Sequence, residues 1–286
     1  MTTVLLLVVA NASTSAPPAT ADSLAAAVAG DAQVAGSTNF AVFSRTSEHD
    51  ARVVAADCER WRVRLHDFWC GSAKRWQWTP RCVIVIHSSK KEYLAAVGAG
   101  ASQTLGTSSI EFEGARVKHR RIDLLSETGR PLSALAHEMT HVLFADLFQG
   151  RQPPRWVDEG VAILADDATK QQLHLRDLLA GLERQYAFRC AELVTLNDYP
   201  PRHRIPAFYG QSVSLVSFLA RRDDPSKFVT FVQRSMEHGY DQALRDVYRI
   251  DGLAQLEALW QANCASASAY HGMQVTLDAT TQLGAE

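Results

Sequence analysis

The stretch LSALAHEMTHVLFADLF, Leu132 to Phe148, constrains this chain more than any other. Its apolar content predicts a helix with no large polar face, which is a helix of a protein interior. Yet it carries three ionisable residues, His137, Glu138 and His141. A buried polar group without a partner costs roughly 1 to 3 kcal/mol, so something must compensate each of them.

The rest of the chain is an ordinary globular composition. Of its 286 residues, 47% are hydrophobic and 21% charged, enough for one large domain or two small ones. The 29 basic and 31 acidic side chains show no block of like charge, so nothing argues for nucleic acid or anionic lipid as a partner. At the N-terminus, Val4 to Ala10 could be the apolar core of a secretory signal, with Ala10-Asn11-Ala12 as its cleavage site. That run is too short to span a membrane. No Lys or Arg precedes it, so two readings stand: export to the periplasm, envelope or medium, or an apolar tail on a cytoplasmic protein. Cys58, Cys70, Cys82, Cys190 and Cys264 contain no CxxC pair. In an exported protein they could form two disulfides, one among the first three and one between Cys190 and Cys264; otherwise they are buried thiols.

Residues 1–38 read as a possible signal followed by an Ala, Ser, Thr, Gly and Pro leader able to bury little. The folded domain is expected over 39–263, with a loose tail at 264–286. NFAVFS is a short strand, and Ser47 with Asp50 opens a helix through Trp69. RCVIVIH, residues 81–87, is a buried strand, followed by a short helix at KKEYLAAV. The segment SIEFEGARVKHRRIDLL alternates about Glu113-Gly114 as a hairpin. Pro131 suits the first turn of the opening helix and Gly150 its C-terminal cap, and Pro153-Pro154 opens the next helix, RWVDEGVAILADD. Helices follow to Asn263. The fold class is therefore α+β: a small N-terminal sheet with helices packed on the motif helix, then a mainly helical lobe.

HEMTH fits the H-E-x-x-H pattern. Residues four apart lie one turn apart on the same helix face, so His137 and His141 can share one tetrahedral ion. Glu138, about 100 degrees round the axis, stands near the metal as a general base for its water. A catalytic zinc usually takes three protein ligands and keeps the fourth position for water, so a third ligand should come from elsewhere. Glu159, a carboxylate in the apolar run WVDEGVAIL eighteen residues after His141, is the candidate. A Gly-capped loop and an antiparallel helix would return it to the histidines.

HEMTH followed by WVDEG resembles the gluzincin branch of zinc metallopeptidases, the peptidase MA-like domains distantly related to aminopeptidase N and thermolysin, over Asn39 to Arg222. The resemblance implies a zincin-like fold, one zinc per chain held by His137, His141 and Glu159, and Glu138 as the residue that activates water. FYGQSVSLVSFL is similar to a later helix of the group, which points to Tyr209 as the residue stabilising the oxyanion. Two departures stand out. No G-x-M-E-N string occurs, so aminopeptidase specificity does not follow. Where thermolysin-like enzymes place an orienting Asp four residues after the ligand Glu, this chain has Ile163. Asp158 could orient a ligand histidine instead, or form a surface salt bridge.

The remaining candidates weigh less. His203 is a second candidate for the oxyanion donor, although a His in a Pro-rich loop is more often solvated. Asp146 lies about 180 degrees from His137 and is no ligand. His119, Arg120 and Arg121 border a groove or are the charged face of an exposed strand. Trp61, Trp69, Trp76 and Trp78 read as packing. Together the residues lead to zinc-dependent hydrolysis of a peptide or protein substrate by metal-activated water, with the second hairpin arm, Ala115 to Leu125, as an edge strand pairing with extended substrate. The alternative is a non-catalytic zinc module that serves as a structural or interaction domain.

Overall fold

The computed structural model describes residues 32–46, 49–71, 73–127 and 132–265, which divide into two units. One runs to Leu65 and resumes over Lys74–Arg151; the other comprises His66–Ala73 and the chain from Gln152 onward. Val4–Ala10, the Ala10-Asn11-Ala12 site, Ser47 and Pro131 lie outside the described residues.

In the first unit the elements are β1 (Gln33–Gly36), β2 (Phe40–Ser44), α1 (Ala51–Cys70), β3 (Cys82–His87), α2 (Lys90–Val97), β4 (Gly106–Glu113), β5 (Arg116–Leu125) and α3 (Leu135–Leu147). The last turn of α1 clusters with the second unit. The strands form one sheet in the order β1-β2-β3-β5-β4. β3 is buried at all six positions, as its unbroken β-branched run predicts for a strand covered on both faces. It lies parallel to β2, with Phe40 opposite Cys82, and parallel to β5, with Ile84 opposite Ile122. Parallel neighbours need a crossover, and α1 supplies the one from β2 to β3. Its buried residues Ala51, Val54, Ala55, Cys58 and Leu65 recur at helical spacing, and Asp50 Oδ1 caps it by accepting from the backbone N–H of Arg52 at 2.8 Å. Glu59 of α1 receives both the backbone N–H and the side-chain Nδ2 of Asn39 at 2.8 Å, tying the helix to the start of β2.

Two expectations are corrected here. The hairpin about Glu113-Gly114 is present, but its second arm is interior: β5 pairs with β3 on one side and β4 on the other, so the first arm, β4, ends the sheet among the described residues. The leader reading of residues 11–38 also fails at Gln33–Gly36, which pair antiparallel with β2 as the opposite edge.

At the C-terminal ends of β3 and β5 the sheet buries a polar cluster. His87 Nε2 lies 2.7 Å from Asp123 Oδ1, and Arg121 grips the same carboxylate with Nε at 2.6 Å and Nη2 at 2.7 Å. Burial works to raise the Asp123 pKa, but the hydrogen bonds from His87 and Arg121 and the Arg121 charge outweigh it and hold the group below the ordinary carboxylate value. A carboxylate whose pKa is depressed by folding contributes stability above its unfolded pKa and loses it as pH falls through the folded one. Stability should therefore decline as pH drops below about 4, and Asp123→Asn should flatten that decline while lowering stability at neutral pH. Urea midpoints between pH 2 and 7 for both proteins check this.

The second unit is helical: α4 (Arg155–Leu164), α5 (Ala168–Glu183), the single turn α6 (Cys190–Leu193), α7 (Ile205–Arg222), α8 (Ser226–His238), α9 (Tyr240–Tyr248) and α10 (Gly252–Ala265). α7 is its axis, buried almost continuously from Ala207 to Ala220, with α4 and α5 packed on it. Gly160 permits the closest approach, since a Cβ there would stand 2.5 Å from Val216 Cγ2 and 2.7 Å from the Ser212 carbonyl oxygen. Trp156 joins α4 to the later helices by edge contact with Phe228 and by its indole N–H, which donates to Tyr240 at 3.1 Å. α10 runs through Cys264 and Ala265, into the stretch expected as tail; residues 266–286 lie outside the described residues.

The chain is thus α+β. All five cysteines are free, and Cys58, Cys82 and Cys190 are buried, so the structure has the thiols and not the disulfides. Burial pushes the Cys190 thiol up to about 12 and Cys70 up to about 11, which keeps both protonated at neutral pH. Among the described residues no helix is long and apolar enough to cross a membrane.

Candidate metal centre

Helix α3 has no side-chain cap at its start and buries every residue from Leu135 to Phe144. Thr140 survives there because its hydroxyl donates to the Ala136 carbonyl at 2.8 Å. At its C-terminus the chain turns through Gln149 and Gly150, both with positive φ; their N–H groups bond the Asp146 and Ala145 carbonyls at 3.1 and 3.4 Å, a Schellman arrangement that closes the helix where the cap at Gly150 is expected.

His137 and His141 occupy one face, their ring centres 4.9 Å apart, as the four-residue spacing requires. Glu138 is 2% exposed, and the Ser108 hydroxyl on β4 donates to its Oε2 at 2.8 Å. β4 reaches the helix this closely because residue 106 is glycine. A Cβ there would stand 2.7 Å from Ala134 Cβ and 2.8 Å from Glu138 Cγ.

Asp146 lies away from the histidines, as the helical angle predicts, and has its own role. Arg120 of β5 donates to its Oδ1 from Nη2 at 2.6 Å and to the Pro80 carbonyl from Nη1 at 2.7 Å, while the Trp76 indole N–H reaches Asp146 Oδ2 at 3.4 Å. Both members of this ion pair are 4% exposed in their side chains. The reading of His119, Arg120 and Arg121 as a groove border or a charged solvent face is therefore corrected. Arg120 clamps the motif helix to the sheet, Arg121 holds Asp123, and His119 is half-buried, its pKa lowered first by burial. Trp69 and Trp78 are buried, in keeping with packing roles.

In the second unit, Glu159 sits on α4 with no exposed surface, and the Tyr199 hydroxyl donates to its Oε1 at 2.6 Å. Tyr199 is hydrogen-bonded in turn to Tyr209 of α7, their ring centres 6.2 Å apart. Burial, then the charge of Glu159, drives both phenols far above their ordinary pKa, so both remain donors at neutral pH. The Arg155 guanidinium covers the Tyr199 ring at 4.3 Å. Tyr199 was not singled out in the sequence, where its one signal is a tyrosine ahead of Pro200-Pro201. His203 is exposed, edge-on to Tyr186 at 5.2 Å, in keeping with a solvated loop histidine. Asp158 is buried and accepts from Gln152 Nε2 at 3.3 Å.

His137 and His141 in the first unit and Glu159 in the second are all buried, and each offers a ligand atom of the kind a metal ion takes. Neither a protein-family model nor a curated protein matches this sequence.

Proposed function

We propose that this chain is a zinc-dependent metallopeptidase with a zincin-like fold of the gluzincin type. The observation that carries the reading is the buried histidine pair on one face of α3 with Glu138 beside it, in a chain that buries a further carboxylate, Glu159, on α4. The donor set fits zinc, which favours imidazole nitrogen and carboxylate oxygen in fours with one position left to solvent. When bound, the ion would polarise a carbonyl and acidify water.

The chain's own residues then divide the work. His137, His141 and Glu159 hold the ion, and Tyr199 positions Glu159 through its hydrogen bond. Glu138, oriented by the Ser108 hydroxyl, takes a proton from the attacking water and passes it to the leaving amine. Tyr209, whose hydroxyl donates to the Tyr199 oxygen in the resting structure, would turn its proton to the oxyanion of the tetrahedral intermediate. With β5 enclosed, β4 is the strand whose edge, unpaired among the described residues, suits an extended substrate.

A peptide library incubated with purified protein should be cleaved, the cleavage should stop on chelation with 1,10-phenanthroline, and zinc should restore it. A folded, zinc-loaded protein that cleaves nothing in such a library would favour the non-catalytic zinc module.

A further inference from the structure

A second candidate site lies wholly within the helical unit and uses no residue of the proposed peptidase. Around the C-terminal ends of α7 and α9 and the start of α8 is a cavity of about 400 Å³, a volume typical of small-molecule sites. Its charges do not balance. Lys227 pairs with Asp223 at 2.5 Å and Arg234 with Asp246 at 3.1 Å, which uses both acidic groups in the lining. Arg222 and Arg249 also line it, and neither meets an acidic partner among the described residues. Arg222 only leans over the Phe218 ring, 5.8 Å from its centre.

A further observation points to a ligand. Tyr248 lines the same cavity and is 6% exposed, and its buried hydroxyl has no hydrogen-bond partner among the described residues. The ring packs edge-on against Phe231, with centres 5.5 Å apart. Arg249 adopts a left-handed backbone, φ +58°, at a helix C-terminus where glycine is the easy choice.

We propose that this cavity binds a small oxyanion, a phosphate or carboxylate group, gripped by the Arg222 and Arg249 guanidinium groups with the Tyr248 hydroxyl as a further donor. The guanidinium fork matches two oxygens of such a group, and the hydroxyl gains the acceptor it lacks.

The test is calorimetric titration of the full chain with inorganic phosphate in one arm and citrate in the other, in 0.1 M NaCl. Saturable binding near one per chain is expected in at least one arm, and the arm that binds identifies the oxyanion. Arg249→Gly should relieve the backbone, leave the melting temperature equal or higher, and weaken binding by about tenfold or more. Arg222→Ala should do likewise to affinity, and Tyr248→Phe should weaken it about three- to tenfold. No saturable binding in either arm would overturn the site, as would binding that survives Arg249→Gly and Arg222→Ala in folded protein.

Discussion

Glu138→Gln should abolish peptide cleavage while the protein keeps its metal. The amide preserves the shape of the side chain and can still meet the Ser108 hydroxyl, so the 2.8 Å contact that orients residue 138 survives. What is lost is the capacity to take a proton. General base catalysis contributes about 10²- to 10⁴-fold, so turnover should fall by at least that range, or about 3 to 5 kcal/mol of transition-state stabilisation. Metal content should stay at the parental level, because the three proposed ligands are untouched. Cleavage assays and metal analysis on the same preparation separate the outcomes, and full activity in the variant would remove Glu138 from the mechanism.

The second large effect is on stability and lies on the far side of the same helix. Arg120→Met should leave Asp146 buried without its counter-charge, a change that typically costs about 3 to 5 kcal/mol. The loss should depend on pH with a definite sign. Burial already raises the Asp146 pKa, and Arg120 is the first influence opposing it. Without Arg120 the folded pKa rises further, and a carboxyl whose pKa is raised by folding loses stability as pH climbs above its unfolded value near 4. The variant should therefore be closest to the parent at about pH 4 and furthest from it at pH 7. Adding Asp146→Leu should recover most of the loss, since a well-packed apolar pair replaces a buried ion pair at little cost. Urea unfolding midpoints that coincide for parent and Arg120→Met at pH 7 would show that the clamp contributes nothing.

Much of the candidate site was legible in the sequence because its constraints are local. The spacing of His137 and His141 sets their shared face, the apolar run around them sets their burial, and the helical angle sends Asp146 elsewhere. Glu159 stood out for a similar reason, a carboxylate inside the apolar run of α4. Long-range pairing was not legible. The alternation that marks β5 as a strand says nothing of its neighbours, so its position between β3 and β4 emerged only in the sheet. β1 offers four mostly exposed residues, QVAG, with no apolar pattern, because an edge strand can be held by backbone bonds alone. Tyr199 and the Arg120–Asp146 clamp also depend on partners 40 and 26 positions away, beyond any helical or strand period.

In the proposed function His137, His141 and Glu159 hold one zinc ion together. Metal analysis of purified parent and Glu159→Ala, each checked for folding by circular dichroism, addresses it directly. The account predicts about one zinc per parent chain and a clear loss in the variant. A folded parent that takes up no zinc when supplied with it, or a variant that binds as well as the parent, would contradict the proposal and leave the three residues as buried polar side chains without a metal.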